Sequence, residues 1–345
     1  MLVDRSMTGH RGKSGQGTAA AQELLKIDPG RAAAAIAAYL KALVTRQKTE
    51  GVLLGLSGGI DSAVLLGLTV RALGVDRVHA LFLFDRDSAC GHVTNAHLVA
   101  DWLGVKLEEV DIEAGRAGAY AGRALRVSRL SPLLNRLALR IYRFLAGESA
   151  FVSSLRAGGS GAKNLRPGKA VLQAVDRYAE ELFYERHRYR REVLENRAGS
   201  RNWSLIGAAN RTEWELGWFV ADGVDDLPYQ PLIGLYKTQV RQMAAFLEMP
   251  ASLQAQLPSP DMARGINDEF ALGWQYWALD LGLDCLDGGT CLERVLAAGL
   301  TQKDLRSIQE MKALSSWKRK ELAMPVPADG GRGGGLRVAP GWNEW

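Results

Sequence analysis

The chain has 345 residues, of which 47% are apolar, 23% are charged and 8% are aromatic. This balance is that of one large globular domain or two modest ones, and it excludes a disordered or collagen-like chain. The formal charge is +5, and residues 113–200 alone hold 17 lysines and arginines against 8 aspartates and glutamates, so the rest of the chain is net acidic.

The apolar stretches and the cysteines bear on where the protein works. The longest apolar runs fall far short of the roughly 20 residues that cross a bilayer, and residues 1–20 lack the apolar core of a secretion signal. Cys90, Cys285 and Cys291 match no zinc or disulfide spacing, so we interpret them as packing residues. We therefore expect a cytoplasmic protein without a membrane span.

The first half of the chain alternates strands and helices. We expect residues 1–27 to form a flexible arm, followed by an Ala-rich helix to about residue 47 with Asp28 as its N-cap. The elements predicted next are strands over 52–56, 77–84, 106–112 and 203–206 and helices over 61–73 and 94–103. This alternation predicts an α/β fold with a doubly wound parallel sheet, whose ligand crevice lies at the carboxyl ends of the strands.

The rest of the chain is predicted to be helical. The basic segment 113–200 is expected to be a helical insertion, with helices over 132–146 and 169–195 and a mobile Gly-rich loop at 157–161. A helical C-terminal segment follows, with helices predicted over 236–247, 269–281, 291–298 and 301–314. The tail, 325–345, is rich in Pro and Gly and is expected to be disordered. Residues 28–324 would then form one domain.

A loop rich in glycine and hydroxyl groups joins the first predicted strand to the next helix. It reads Ser57, Gly58, Gly59, Ile60, Asp61 and Ser62. The glycines allow a sharp turn that points N–H groups at an anion, and the helix dipole adds to the attraction. Asp61 would repel a bare phosphate, so it indicates a ligand for phosphate-bound Mg²⁺. The alternative interpretation is an ordinary strand-to-helix turn capped by Ser and Asp. The loop is not a Walker loop, because no Gly-Lys-Ser/Thr follows it.

The loop and its strand resemble the pyrophosphate loop of the ATP pyrophosphatase (PP-loop) superfamily, a Rossmann-like fold of the adenine nucleotide alpha hydrolase type. Three later segments resemble NAD⁺ synthase signatures. Residues 206–213 are similar to Gly-Thr-x-Asn-Lys/Arg-x-Glu, residues 231–240 to Pro-Ile-x-x-Leu-Tyr-Lys-Thr-Gln-Val, and residues 258–269 to a Pro-Thr/Ser loop that ends in an acidic pair. The resemblance covers about residues 31–321.

The resemblance implies roles for particular residues. Asp61 and Glu213 would hold Mg²⁺, and with Lys237 they would form the catalytic set. The expected ATP-binding residues are Gly55, Leu56, Ser57, Gly58, Gly59, Ile60, Asp61, Ser62, Arg86, Ala208, Lys237, Ser259 and Lys318. The residues expected to bind the acceptor substrate are Arg188, Arg190, Asn210 and Asp226.

The resemblance also implies a reaction. The implied enzyme is an ATP-dependent, AMP-forming amide ligase that adenylates a carboxylate and transfers ammonia to it. The leading candidate for the carboxylate is deamido-NAD⁺, and the products would then be NAD⁺, AMP and pyrophosphate. The chain is too short to hold a glutaminase beside the ligase, so ammonia would be free or delivered by a separate glutaminase. The resemblance further implies a homodimer with substrate bound across the interface.

Two departures from the family pattern leave alternatives open. Ala208 stands where the family has Thr, and Ala221 stands where NAD⁺ synthases commonly have a Lys near the substrate. A paralogue that amidates another small carboxylate, or a nucleotide-binding protein without catalysis, would fit these changes. The basic insertion leaves open a PP-loop enzyme that modifies tRNA, although the chain lacks cysteine pairs and a recognisable RNA-binding module, so we expect no nucleic-acid partner.

Overall fold

The computed structural model describes residues 14–85, 88, 90–113, 115, 132–158, 185–259, 265–319, 325–326 and 337–338. Its helices, in chain order, are α1 (Ser14–Leu24), α2 (Pro29–Gln47), α3 (Ile60–Leu73), α4 (Cys90–Leu103), α5 (Pro132–Ala146), α6 (Ala150–Gly158), α7 (185–200), α8 (Arg211–Leu216), α9 (Lys237–Phe246), α10 (Ala251–Gln254), α11 (Asp268–Leu272), α12 (Tyr276–Leu286), α13 (Leu292–Ala297) and α14 (Gln302–Leu314). Its strands are β1 (Gly51–Gly55), β2 (Val78–Phe84), β3 (Leu107–Asp111), β4 (Trp203–Ile206), β5 (Pro325–Val326) and β6 (Arg337–Val338). Among these elements, no helix has both the length and the apolarity needed to cross a bilayer.

Four parallel strands form the central sheet in the order β3, β2, β1, β4. Leu54 of β1 pairs with Ala80 of β2 on one side and with Ile206 of β4 on the other. The two central strands are almost entirely buried because helices cover both faces of the sheet, which explains their continuous apolar runs. The doubly wound parallel sheet predicted from the alternating elements is confirmed.

Helices pack on each face of this sheet. On one face, α2, α3 and α9 share a large apolar core with β1 and β2. On the other face, Leu194 and Ala198 of α7 pack against Leu53 and Leu81. Asp28 caps α2 as predicted, because its side chain accepts a hydrogen bond from the backbone N–H of Arg31 at 3.0 Å. The sheet and its helices place the carboxyl ends of the strands at one open edge.

The first described residues are helical, so the prediction of a flexible arm is wrong for residues 14–24. The α1 side chains Ala21 and Leu24, with Leu25 after them, are buried in a second core formed with α12 and α14. A short helix with few large apolar residues has a weak periodicity signal, and only the partner surface stabilises it. Residues 1–13 lie outside the described residues.

Three further features differ from the sequence prediction. The helix expected over 269–281 is two helices, α11 and α12, because Gly273 ends the first with φ +77°. In the tail expected to be disordered, β5 pairs with β6 in an antiparallel two-stranded sheet. The first two residues of the loop predicted at 157–161 belong to α6, and residues 159–161 lie outside the described part of the chain.

Candidate active site

A cavity of about 500 Å³ opens at the carboxyl ends of the strands. Its floor is the loop after β1, and its walls include the end of β2, the segment after β4 and the cavity-facing side of α7. Helices α5 and α6 of the basic insertion close another side. The ligand crevice therefore lies where the sheet topology predicts it.

The loop at the floor of the cavity has a shape that requires glycine. Gly58 has φ +76°, and a Cβ atom at this position would lie 2.2 Å from the carbonyl oxygen of His92. The Ser57 and Ser62 hydroxyls lie 3.0 Å apart, and the Ser57 backbone N–H donates to Ser62 Oγ at 3.2 Å. Gly59 is the N-cap of α3 and has no side chain to cover the first N–H groups of the helix. The loop thus presents backbone donors and a helix N-terminus to the cavity, which is an anion-binding geometry.

Three helices begin at the centre of the site, and each contributes a charged side chain. Asp61 lies in the first turn of α3, Glu213 in the first turn of α8, and Lys237 is the first residue of α9. The Lys237 ammonium contacts Asp61 Oδ2 and lies 3.3 Å from Glu213 Oε1. The structure therefore brings together the three residues predicted to be catalytic.

Asn210 holds two of these groups from behind. Its side-chain amide donates to Asp61 Oδ1 at 2.9 Å, and its oxygen accepts from the backbone N–H of Glu213 at 3.0 Å. The Glu213 carboxylate accepts a hydrogen bond from the backbone N–H of Asn210, which completes a capping box at the start of α8. Asn210 is buried and does not line the cavity, so it orients the acidic groups without facing the space itself.

Burial and mutual charge shift the ionisation of the site. Burial raises the pKa of Glu213 to about 8, against the opposing effect of Lys237. Burial alone would lower the pKa of Lys237, but Asp61 and Glu213 outweigh it and raise that pKa above its ordinary value. Lys237 therefore stays charged at neutral pH. Such shifts cluster at functional sites.

The donor set fits a magnesium ion carried on phosphate. Two carboxylates, Asp61 and Glu213, face each other across Lys237 at the cavity. In the described part of the chain, no three His, Cys, Asp or Glu side chains form a metal-binding cluster. Mg²⁺ commonly takes one or two protein carboxylates and completes its coordination with substrate phosphates and water. The residues present match that pattern and do not form an all-protein metal cage.

Most of the residues predicted to bind ATP line the cavity. They are Gly55, Leu56, Ser57, Gly59, Ile60, Asp61, Ser62, Ala208, Lys237, Ser259 and Lys318. Gly58 packs against His92 and does not line the cavity. Arg86 lies outside the described residues. The Lys318 ammonium also donates to the carbonyls of Gly217, at 2.8 Å, and Phe219, so it caps the end of α8 as well as facing the cavity.

The residues predicted to bind the acceptor substrate are more dispersed. Arg190 lines the cavity, whereas Arg188 points to the carbonyl of Ala221 at 3.4 Å. Asp226 is buried and accepts a hydrogen bond from the backbone N–H of Asp222 at 2.8 Å, which braces the turn that contains Ala221. Arg188, Asp226 and Ala221 do not border the cavity.

Several cavity residues were not predicted from the sequence. Asp225 lines the cavity, and burial raises its pKa to about 6 against the opposing effect of Arg190. Asp268 also lines it and accepts from the Tyr276 hydroxyl at 2.9 Å, and burial raises its pKa. The acidic pair in the 258–269 segment was a signal for Asp268. The other additional lining residues include Asn135, Arg140, Arg143, Phe151, Trp218 and Phe219.

The family model for NAD synthase matches residues 32–123 and 169–322, which is most of the chain. The chain belongs to the NAD synthase family. Residues 124–168, which include α5 and α6, fall between the two matched segments. The family match thus contains the glycine loop, Glu213 and Lys237, while part of the cavity wall comes from sequence outside it.

Curated relatives cover most of the chain. The NH(3)-dependent NAD(+) synthetase of Thermotoga maritima is 32% identical over 244 residues, which are 70% of this chain and 82% of the relative. The enzyme of the same name from Thermotoga neapolitana is 29% identical over 284 residues, covering 82% of this chain and 90% of its own. That from Rhizobium meliloti is 30% identical and covers 79% of this chain and 83% of its own.

Two solved structures share the fold. The NMN synthetase from Francisella tularensis has a TM-score of 0.59 and 22% identity, and the alignment covers 87% of this chain and 99% of that one. The NH3-dependent NAD synthetase from Campylobacter jejuni has a TM-score of 0.56 and 19% identity, with 86% and 98% covered. At these identities the structural match supports the α/β fold of the NAD synthases.

Proposed function

We propose that this NAD synthase family member is an ATP-dependent ligase that converts deamido-NAD⁺ and ammonia to NAD⁺, with release of AMP and pyrophosphate. The observation that carries the proposal is the convergence of Asp61, Glu213 and Lys237 beside the glycine loop. This is the arrangement that adenylation needs, because a cation and backbone donors face the same space as two carboxylates suited to Mg²⁺. The relatives named NH(3)-dependent NAD(+) synthetase support the choice of acceptor and of ammonia.

In the first half-reaction, a carboxylate oxygen of deamido-NAD⁺ attacks the α-phosphorus of ATP and pyrophosphate leaves. Negative charge builds on the departing pyrophosphate. The N–H groups of the 57–62 loop, the Ser57 and Ser62 hydroxyls and the Lys237 ammonium are the donors placed to stabilise it. Bound Mg²⁺ would neutralise charge on the phosphates, and we propose that Asp61 and Glu213 hold it.

In the second half-reaction, ammonia attacks the acyl carbon, and AMP leaves with the oxygen that bridged carbon and phosphorus. The mixed anhydride is sensitive to hydrolysis, so the site must exclude water. Apolar side chains line the cavity and limit the access of water, among them Leu81 and Leu83 of β2, Phe151 of α6 and Phe219 after α8.

We also propose that the protein works as a homodimer through α5. One side of this helix lines the cavity, while its other side exposes large apolar residues at helical spacing. They are Leu133, Leu134, Leu137, Ile141, Phe144 and Leu145, and Phe144 is 87% exposed. An apolar stripe of this kind marks an interaction surface, and a second copy of the chain seated on it would bury these side chains. Light scattering should give twice the chain mass for the wild type and a single chain mass for Phe144→Asp.

The proposed reaction is tested with purified protein, ATP, Mg²⁺, ammonium and deamido-NAD⁺, following AMP, pyrophosphate and NAD⁺ by chromatography with mass detection. Equal amounts of the three products are expected. Omission of ATP, Mg²⁺ or deamido-NAD⁺ should stop all of them, and omission of ammonium should stop NAD⁺ formation. Glutamine should not replace ammonium unless a separate glutaminase is added. Asp61→Asn should abolish AMP release. ATP binding without NAD⁺ formation would refute the proposal, and a parallel reaction with nicotinate mononucleotide would show whether a shorter carboxylate is the acceptor instead.

A further inference from the structure

A buried carboxylate outside the cavity lies behind the catalytic groups. Asp280 of α12 has 0% exposure and does not line the cavity. Its Oδ1 accepts from the Thr212 hydroxyl at 2.5 Å, and its Oδ2 accepts from the Thr238 backbone N–H at 2.7 Å and from the Thr238 hydroxyl at 2.6 Å. Burying a carboxylate is costly unless hydrogen bonds compensate for lost water, and three short bonds do so here.

The two threonines belong to the helices that carry the catalytic groups. Thr212 precedes Glu213 in the first turn of α8, and Thr238 follows Lys237 in the first turn of α9. A further bond closes the connection, because Thr212 Oγ1 accepts from the backbone N–H of Lys237 at 3.0 Å. One carboxylate thus joins the starts of both helices.

We infer that Asp280 is a positioning residue for the ligation, because it fixes the Glu213 carboxylate and the Lys237 ammonium relative to each other at the reacting phosphates. The inference rests on the proposed function. The direction of the hydrogen bonds matters as much as their number. Thr212 donates its only proton to Asp280, which leaves its lone pairs for the Lys237 N–H. An amide at position 280 would donate to Thr212 instead, so the hydroxyl would have to find another acceptor.

The expected kinetic effect follows from what this network touches. Asp280, Thr212 and Thr238 do not border the cavity, so substituting them removes no side chain that lines it. The separation of the Glu213 and Lys237 groups, now 3.3 Å, would change. A misplacement of catalytic groups by about 1 Å can cost about 10²-fold in rate. Asp280→Asn should therefore lower kcat by about tenfold or more and leave KM for ATP and deamido-NAD⁺ within about twofold.

The same helix offers a matched control. Asp284 of α12 makes the same pair of hydrogen bonds to a threonine, because its Oδ2 accepts from the Thr290 backbone N–H at 2.8 Å and from the Thr290 hydroxyl at 2.6 Å. Asp284 and Thr290 do not line the cavity and bond to neither α8 nor α9 among the described residues. Asp284→Asn should lower the free energy of unfolding without lowering kcat.

The experiment measures kcat, both KM values and denaturant unfolding for the wild type, Asp280→Asn, Asp284→Asn, Thr212→Val and Thr212→Ser. The inference predicts a loss of kcat in Asp280→Asn and Thr212→Val, recovery in Thr212→Ser, which keeps the hydroxyl, and non-additive losses in the Asp280→Asn/Thr212→Val double variant. Unchanged kcat in the two disruptive variants, with only the loss of stability seen for Asp284→Asn, would overturn it. If Asp280→Asn does not fold, the Thr212→Val and Thr212→Ser pair decides the matter. A wild type that makes no NAD⁺ would instead refute the proposed function.

Discussion

Gly58→Ala should disable the phosphate loop while leaving the rest of the protein folded. The substitution has two costs. A residue other than glycine at φ +76° loses about 1–2 kcal/mol in backbone conformation. The new methyl group would also lie 2.2 Å from the His92 carbonyl, whereas real Cβ contacts essentially never fall below 3.0 Å, so the loop and the start of α4 must separate by about 0.8 Å. Displacement of catalytic groups by about 1 Å can cost about 10²-fold in rate.

Gly104→Ala separates the two costs. Gly104 follows α4 and has φ +67°, and none of the described residues places an atom within 4 Å of an added Cβ, so it carries the conformational cost without a clash. We expect Gly104→Ala to lose about 1–2 kcal/mol in denaturant unfolding, and Gly58→Ala to lose more because the clash adds to the same conformational cost. Only Gly58→Ala should lose about 10²-fold in kcat/KM for ATP, measured as NAD⁺ formation. Equal kcat/KM in the two variants would refute the assignment of the loop to phosphate binding.

Three further outcomes are expected. Lys237→Met removes the ammonium that contacts Asp61 and Glu213 and that we propose stabilises the departing pyrophosphate. It should lower kcat by about 10²–10³-fold in the NAD⁺ assay, so retention of kcat would contradict the proposed role. Burial lowers the pKa of His187 to about 3, so as the pH falls below about 6.5 the unfolded chain binds a proton that the folded chain does not. In urea unfolding, the free energy of unfolding of the wild type should therefore fall by about 2 kcal/mol more than that of His187→Gln between about pH 7.5 and pH 5. Equal losses would show that His187 is not buried in its neutral form. Lys318→Met leaves the Gly217 and Phe219 carbonyls without their donor and should cost about 1–3 kcal/mol by the same measurement, whereas no loss would contradict the cap.

The sequence predicted the sheet and the side chains that meet at its carboxyl end. Asp61 and Glu213 each lie in the first turn of a helix that follows a strand, so the parallel topology brings them to the same end of the sheet. Lys237 begins a helix that does not follow directly on a strand of this sheet, and its role was predicted from the resemblance of residues 231–240 to the NAD⁺ synthase signature. The Asp28 cap was predictable because its partner is three residues away.

What the sequence did not show depends on contacts between distant segments. Arg188 and Arg190 were expected to face the same ligand, but residues two apart on a helix lie on different faces, and only Arg190 reaches the cavity. Asp280 reads as an ordinary polar residue in an apolar helix, because its partners Thr212 and Thr238 are 68 and 42 positions away. The packing of α1 against α12 likewise gives no periodic signal strong enough to detect in one sequence.

The proposed mechanism requires that transfer of AMP activates the carboxylate of deamido-NAD⁺ before ammonia replaces the AMP. The most direct measurement uses deamido-NAD⁺ whose carboxylate is enriched in the heavy oxygen isotope, with ATP, Mg²⁺ and ammonium, and mass analysis of the products. Because the bridging oxygen of the mixed anhydride comes from the carboxylate, one labelled oxygen should appear in AMP for every NAD⁺ formed, and pyrophosphate should carry none. NAD⁺ formation with unlabelled AMP, or with label in inorganic phosphate and release of ADP, would contradict this mechanism.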